Sequence, residues 1–254
     1  AHDTVVRRVQ EAATRGLSYG ACHFGEVELA ERILRAFDWA NQVRLVSSGT
    51  EAVMTALRLA RGVTRRPLVL KFDGGYHGHS DSLLVSAGSG LVTQAIASSA
   101  GVPEAVAATT LVAPLDDEAA VEAIFQAHGE QIAAIVIEPM PANNGLLIQR
   151  RDFLEKLRMI CNRYGALLIF DEVISGFRLH YGGYDTQCGV LPDLCTLGKI
   201  VGGGMPIGAI VGPQGIMENL APMGPVYQAG TLSGNPVSVA AGNATLAILE
   251  DSQA

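Results

Sequence analysis

One lysine, Lys199, stands between an apolar stretch and a run of glycines in Thr196-Leu-Gly-Lys199-Ile-Val-Gly202-Gly203-Gly204. Solubility gives a lysine little reason to be there. Burial lowers a lysine's pKa and leaves a nucleophilic amine able to condense with an aldehyde, and the glycines let backbone approach a flat ring closely. A nucleotide loop is the rival reading, but Leu197-Gly198-Lys199 lacks the upstream glycine and the Ser/Thr after lysine that a Walker loop requires. The apolar run Ala166-Leu-Leu-Ile-Phe170 ends abruptly in Asp171-Glu172-Val173. A carboxylate at the C-terminal edge of a buried strand points into the ligand crevice and, once desolvated, needs a positive partner. A protonated pyridine nitrogen would be one, since the charge it holds lets the ring withdraw electrons from a substrate carbanion. A cap on the next turn or an ion pair with Arg178 would satisfy the carboxylate as well.

Three further segments carry polar chemistry. Ser47-Ser48-Gly49-Thr50-Glu51 follows an apolar run and opens a helical pattern, so its free N–H groups and the positive helix end suit a phosphate. Plain capping by Ser or Thr accounts for it as well, and caps are commoner than phosphate sites. Gly74-Gly75-Tyr76-His77-Gly78-His79-Ser80-Asp81 invites a metal reading, because His77, His79 and Asp81 alternate and would share one face of a strand. No histidine follows Asp81, and His2, His23, His128 and His180 sit in no ligand-like motif, so no metal is expected. Tyr76 beside a histidine in a glycine turn instead offers a flat face for a cofactor ring. Gln228-Ala-Gly-Thr231-Leu-Ser233-Gly-Asn235-Pro236 precedes a helix that Asn235 caps and Pro236 opens, and its hydroxyls become a second phosphate contact only beside the other segments.

Such residues need a scaffold. Apolar spacing predicts amphipathic helices at 3–16, 26–38 and 50–62, and helical segments at about 116–128, 150–164 and 235–250. Short apolar runs at 43–46, 68–70, 132–137, 166–170 and 207–211 read as strands, several of them doubly buried and parallel. That alternation argues for an α/β protein with a wound parallel sheet whose ligands sit at strand C-terminal ends. With 254 residues, 48% of them hydrophobic, and no repeat or Pro/Ser-rich linker, one large domain is expected. A net charge of -7 without a dense Lys/Arg block argues against nucleic acid. Cys22, Cys161, Cys188 and Cys195 form no Cys-x-x-Cys pair and read as reduced thiols. No leader and no apolar run of roughly 18 residues is seen, so a soluble, cytoplasmic protein without membrane contact is expected.

Taken in order, a hydroxyl turn, a Tyr-His turn, a strand-terminal Asp and a Gly-flanked Lys resemble the class III, fold type I pyridoxal-phosphate aminotransferases, from about Leu17 to Leu249. Within that family the aminomutase branch is the nearest match. The segments that carry it are 76–81, Ala87-Gly-Ser-Gly90, Glu138-Pro139 followed by Asn143 and Gly145, and Tyr227–Pro236. Transaminases of the class usually carry Gln-Gly-Glu-Gly after their Glu-Pro, where Pro141-Ala142-Asn143-Asn144 stands here.

The resemblance implies the fold type I large domain, a mostly parallel central sheet flanked by helices. It implies that Ser48, Gly49 and Thr50 bind the phosphate of pyridoxal or pyridoxamine 5'-phosphate, Tyr76 stacks on the ring and His77 lines the pocket. Asn143 would lie near the ring substituents, Asp171 would pair with the pyridinium nitrogen, Val173 would pack on the ring, and Lys199 would bind the cofactor aldehyde and shuttle protons. Thr231 is similar to a threonine that reaches a neighbouring subunit's phosphate, implying a homodimer, and Ser89 would touch substrate from a gating loop. The implied reaction is internal amino exchange on a small amino-aldehyde, glutamate-1-semialdehyde to 5-aminolevulinate for tetrapyrrole synthesis. Family members are longer at both ends, so an N-terminal segment and a small C-terminal domain are expected beyond residues 1–254. An aminotransferase for a β- or ω-amino acid and a non-catalytic remnant or dimerisation scaffold are the competing readings.

Overall fold

The computed structural model describes residues 2–87, 96–143 and 145–252. Two helices, α1 (Asp3–Arg15) and α2 (Phe24–Ala36), lead into strand β1 (Gln42–Val46), helix α3 (Gly49–Thr64) and strand β2 (Leu68–Phe72). A two-strand ribbon, β3 (Val85–Ser86) with β4 (Ile96–Ala97), is followed by α4 (Glu104–Ala107), β5 (Thr110–Ala113) and α5 (Glu118–His128). The rest runs β6 (Ile132–Ile137), α6 (Arg151–Tyr164), β7 (Leu167–Glu172), α7 (Asp185–Cys188), β8 (Leu194–Leu197), β9 (Gly208–Gly212), α8 (Gln214–Met217) and α9 (Pro236–Asp251). The six expected helices are thus α1, α2, α3, α5, α6 and α9. Apolar runs do not mark β5 and β8, because Thr110 opens the one and Thr196 interrupts the other, leaving each too short an apolar stretch to stand out.

The main sheet has the order β1-β9-β8-β7-β6-β2-β5. It is mostly parallel, as expected, the exception being β9, which pairs antiparallel with both β1 and β8. The cause is length. Only residues 198–207 connect β8 to β9, whereas a parallel crossover needs a dozen residues or more.

Helices cover both faces, which is why the strands read as apolar runs rather than alternating ones. On one face Leu70, Ile135, Ile137, Leu168 and Phe170 meet Phe125 and Leu157 of α5 and α6. On the other, Val69, Val136, Ile169 and Ile210 meet Val53, Ala56 and Ala60 of α3. A third cluster sets Leu29 and Ile33 of α2 and Val239 and Leu246 of α9 over Leu197, Ala209 and Val211. Each fully buried aliphatic side chain contributes about 1.5–3 kcal/mol, so the strands form a stiff base for whatever their ends carry. Among the described residues no helix is long and apolar enough to cross a membrane. All four cysteines are free thiols, and burial pushes that of Cys161 up to about 12.

Strand alternation separates the two carboxylates at the end of β7. Asp171 falls on the face of Ile169, toward α3, while Glu172 falls on the face of Phe170. Glu172 is completely buried and accepts bonds from Tyr184 N at 2.8 Å and Ser175 Oγ at 3.0 Å. Burial pushes its pKa up to about 8. A folded-state value above the unfolded one means the folded form binds more protons between about 4.3 and 8, so stability falls as pH rises through that window. Glu172→Gln keeps the shape and removes the ionisation. Its unfolding midpoint, followed by circular dichroism from pH 5 to pH 9, is expected to stay flatter than the wild type's; parallel curves would refute the assignment.

Candidate active site

Five parallel strands deliver their C-terminal ends to one place. Val46 of β1 leads to Ser48, Phe72 of β2 to the 74–78 turn, Ile137 of β6 to Glu138, β7 ends in Asp171-Glu172, and Leu197 of β8 leads to Lys199. Together they enclose a cavity of about 240 Å³ lined by Ser48–Thr50, Tyr76–Gly78, Glu138, Asp171, Val173 and Lys199, with Val53 and Ile174. Residues spread over some 150 positions of sequence are here in one crevice outside the strand ends, as open α/β sheets generally arrange their ligands.

At the floor lies Asp171, 4% exposed. Its Oδ2 meets His77 Nδ1 at 2.7 Å, and its Oδ1 accepts from Val173 N at 3.1 Å and Thr196 Oγ1 at 3.3 Å. His77 is 2% exposed, and its Nε2 is buried without a hydrogen-bond partner among the described residues. A proton on Nε2 would therefore be a buried unmatched donor, so the tautomer with hydrogen on Nδ1, donating to Asp171, is the one this environment favours. The alternative ion pair is not made, since Arg178 Nε donates to the carbonyl of Ile174.

One wall is the start of α3. Ser48 is its N-cap, with Oγ accepting from Glu51 N at 3.2 Å, so the capping reading of this turn holds. Capping does not exhaust the site, because the first N–H groups of a helix have no acceptor within it. Gly49 is needed for close packing: a Cβ there would lie 2.8 Å from each methyl of Val173. A Cβ on Gly198 would come within 3.1 Å of the same side chain and 3.5 Å of Gly49 Cα, so the two glycines lie beside each other against Val173. The two glycines thus seat Val173 against the cavity.

Lys199 stands at the rim, and its exposure corrects the expectation of a buried amine. It lies between the cavity and a second, apolar cleft of about 530 Å³ lined by Ile200, Gly203, Thr245 and Ile248 among others, so it is open on two sides. Its φ of +44° is left-handed, a conformation that costs a side-chain-bearing residue roughly 1–2 kcal/mol. Strain of that kind gathers where a side chain's direction matters.

The other expected residues divide. Tyr76 lines the cavity and is 52% exposed. Asn143 is exposed and outside the lining, tied to it by Nδ2 donating to Glu138 Oε1 at 3.4 Å. Thr231 is exposed and borders a different cleft of about 300 Å³ with Tyr19, His23 and Ser233, so this chain's own cavity does not include it. Ser89 lies outside the described residues. The 76–81 segment is not a strand, so His77, His79 and Asp81 do not share a strand face, and among the described residues no metal-holding group of side chains is present.

Two members carry no role in the reading of the sequence, although Glu138 marks the resemblance there. Thr196 had counted only as flank to Lys199. Glu138 is buried, accepts from Tyr76 N at 3.2 Å, and has its pKa raised by burial. The signal for it was available: like Asp171, it is an acid directly after an apolar strand, Ile132–Ile137.

The family described as Aminotransferase class-III matches residues 1–254. Relatives named glutamate-1-semialdehyde 2,1-aminomutase include one from Herminiimonas arsenicoxydans, 54% identical over 98% of this chain, and one from Desulfovibrio desulfuricans, 57% identical over 98%. The chain spans 58% and 59% of the length of those two proteins. Among solved structures, an omega-transaminase from Sphaerobacter thermophilus superposes with a TM-score of 0.91 at 37% identity, covering 98% of this chain and 59% of that one. A glutamate-1-semialdehyde-aminomutase from Pseudomonas aeruginosa PAO1 gives 0.84 at 28% identity, covering 98% and 56%.

Proposed function

The chain belongs to the class III aminotransferases, and from that premise we propose that residues 1–254 form the cofactor-binding large domain of a pyridoxal-phosphate aminomutase, which converts glutamate-1-semialdehyde into 5-aminolevulinate for tetrapyrrole synthesis. The observation that carries the reading is the convergence of Ser48–Thr50, Tyr76, His77, Asp171, Val173 and Lys199 on one cavity. More than half identity to aminomutases along nearly the whole chain supports the choice of reaction.

The donor set suits a cofactor with a cationic ring nitrogen, an aldehyde and a phosphate. Asp171 is a buried carboxylate already steadied by three donors, a helix begins at the opposite wall, an amine stands at the rim, and Gly49 and Gly198 keep Val173 where a flat ring can lie on it. When bound, the cofactor supplies an electron-withdrawing ring and an exchangeable amine. Asp171 would keep the proton on the ring nitrogen, with His77 and Thr196 fixing its direction. Ser48, Gly49 and Thr50 would hold the phosphate at the positive helix end. Tyr76 would cover the ring, and Asn143 would stand by its substituents through Glu138. The Lys199 amine would carry protons between the reacting carbons of substrate and cofactor, as general base and general acid. Ser89 would contact substrate. Thr231, away from this chain's cavity, would serve the phosphate of a second copy, making the working unit a homodimer.

Incubating the protein with glutamate-1-semialdehyde tests the reading, with 5-aminolevulinate without any added amino donor as the expected product. The superposition on an omega-transaminase supports a second reading, an aminotransferase for a β- or ω-amino acid. Rapid transfer of amine to free pyruvate or 2-oxoglutarate, with no 5-aminolevulinate, would select it.

The Val173 seat gives a separate expectation. Gly49→Ala overpacks the wall by about 1–3 kcal/mol and should weaken cofactor binding roughly tenfold. Val173→Ala in the same chain should recover most of that loss. Spectrophotometric titration measures both, and an unaffected Gly49→Ala would remove the seat from the account.

A further inference from the structure

Resting on the reading that the 48–50 turn holds a phosphate, we infer that His79 is a positioning residue for that anion: its Nδ1–H donates to Thr50 Oγ1, leaving the Thr50 hydroxyl proton to point at the phosphate. His77 is occupied by Asp171, and His79 is exposed and absent from the cavity lining, so it acts through Thr50.

Two independent features of the turn place it there. His79 Nδ1 lies 3.4 Å from Thr50 Oγ1. Directly before it, Gly78 has a φ of +83°, and a Cβ on it would lie 2.7 Å from Thr50 Oγ1 and 2.8 Å from Thr50 Cα. Only glycine fits, so the 78–79 backbone is seated on the first turn of α3 with little freedom to carry the imidazole elsewhere.

The direction of the bond follows from what a hydroxyl can do. It has one proton and two acceptor lone pairs. Were Nδ1 the acceptor, the Thr50 proton would be spent on the ring and the oxygen lone pairs would face the anion, which repels them. With hydrogen on Nδ1 the order reverses, and the hydroxyl becomes a donor to the phosphate. Among the described residues, those lining this cavity include no arginine, and Lys199 at the rim is their lysine. The phosphate thus depends on oriented neutral donors, and the orientation of one hydroxyl matters.

The test is the ratio of affinities for pyridoxal 5'-phosphate and pyridoxal, which differ only in the phosphate. It is measured by absorbance titration of the wild-type protein and of Thr50→Val, His79→Leu, His79→Asn and the Thr50→Val/His79→Leu double variant. Thr50→Val and His79→Leu should each lower the ratio roughly tenfold, the scale of one hydrogen bond to a charged group. His79→Asn, whose Nδ2 takes about the place of Nδ1, should restore it, and the double variant should be no worse than Thr50→Val alone. The inference is overturned if His79→Leu leaves the ratio unchanged, weakens both ligands alike, is not rescued by asparagine, or adds its full loss to Thr50→Val. An unchanged ratio in Thr50→Val would instead bring down the phosphate reading itself, and the inference with it; a lowered ratio there with a silent His79→Leu sinks the inference alone.

Discussion

Lys199→Ala is expected to lower the rate of amino exchange by about 10³-fold or more, toward the upper end of what a positioned acid–base group supplies, and to stop borohydride from fixing the cofactor to the chain. The substitution leaves the rest of the site standing. Ser48–Thr50, Asp171 and Val173 come from other strand ends, so cofactor should still be retained, though more weakly. Alanine also keeps a Cβ at the left-handed φ of +44°, so backbone strain is not relieved and the loss reports the amine. Lys199→Arg should not rescue, because a guanidinium does not give up its proton in a protein. Activity in Lys199→Ala within tenfold of wild type would end the proton-shuttle role. Reductive trapping of cofactor in that variant would end the assignment of Lys199 as the attachment point.

Asp171→Ala should cost both stability and chemistry. The carboxylate receives His77 Nδ1, Thr196 Oγ1 and Val173 N, so its removal strands buried donors on three sides. Breaking a buried, hydrogen-bonded pair costs about 3–5 kcal/mol, which for a chain of this size lowers Tm by roughly 10 °C. Asp171→Asn separates the two effects. It keeps the volume and part of the bonding while deleting the negative charge that, in the proposed function, would hold the ring proton, so it should unfold nearer to wild type and still lose most of its activity. Calorimetry and turnover on the same preparations decide the matter, and an active Asp171→Asn would show that the charge is dispensable.

Both effects reach further than local contacts because the site is assembled from strand ends. Thr196 and Asp171 are register partners across β8 and β7, so a shift in that pairing would move Lys199, three residues beyond Thr196, relative to the carboxylate. The stiffness of the clusters on either face of the sheet is therefore part of the site.

Much of this was legible from Lys199 outward. Apolar periods located α1, α2, α3, α5, α6 and α9, because a helix that buries one face must repeat near every third or fourth residue. The acid after an apolar run marked Asp171, the small hydroxyl turn marked Ser48–Thr50, and the glycines marked Lys199, since those residue types are poor choices for filler beside a buried strand. Sequence could not decide between cap and anion site at Ser48, and the fold shows that Ser48 is a cap on a helix whose first turn also lines the cavity. Nor could it assign Asp171 to the cavity and Glu172 to the core, though they are adjacent, because that depends on which face of β7 looks toward α3. The reversal of β9, the recruitment of Glu138 and Thr196, the distance of Thr231 and the exposure of Lys199 were likewise settled by tertiary structure. The physical reason is common to all of them: sheet order and register come from pairings between segments as far apart as Gln42 and Gly212, and local residue patterns carry no record of which strand will lie beside which.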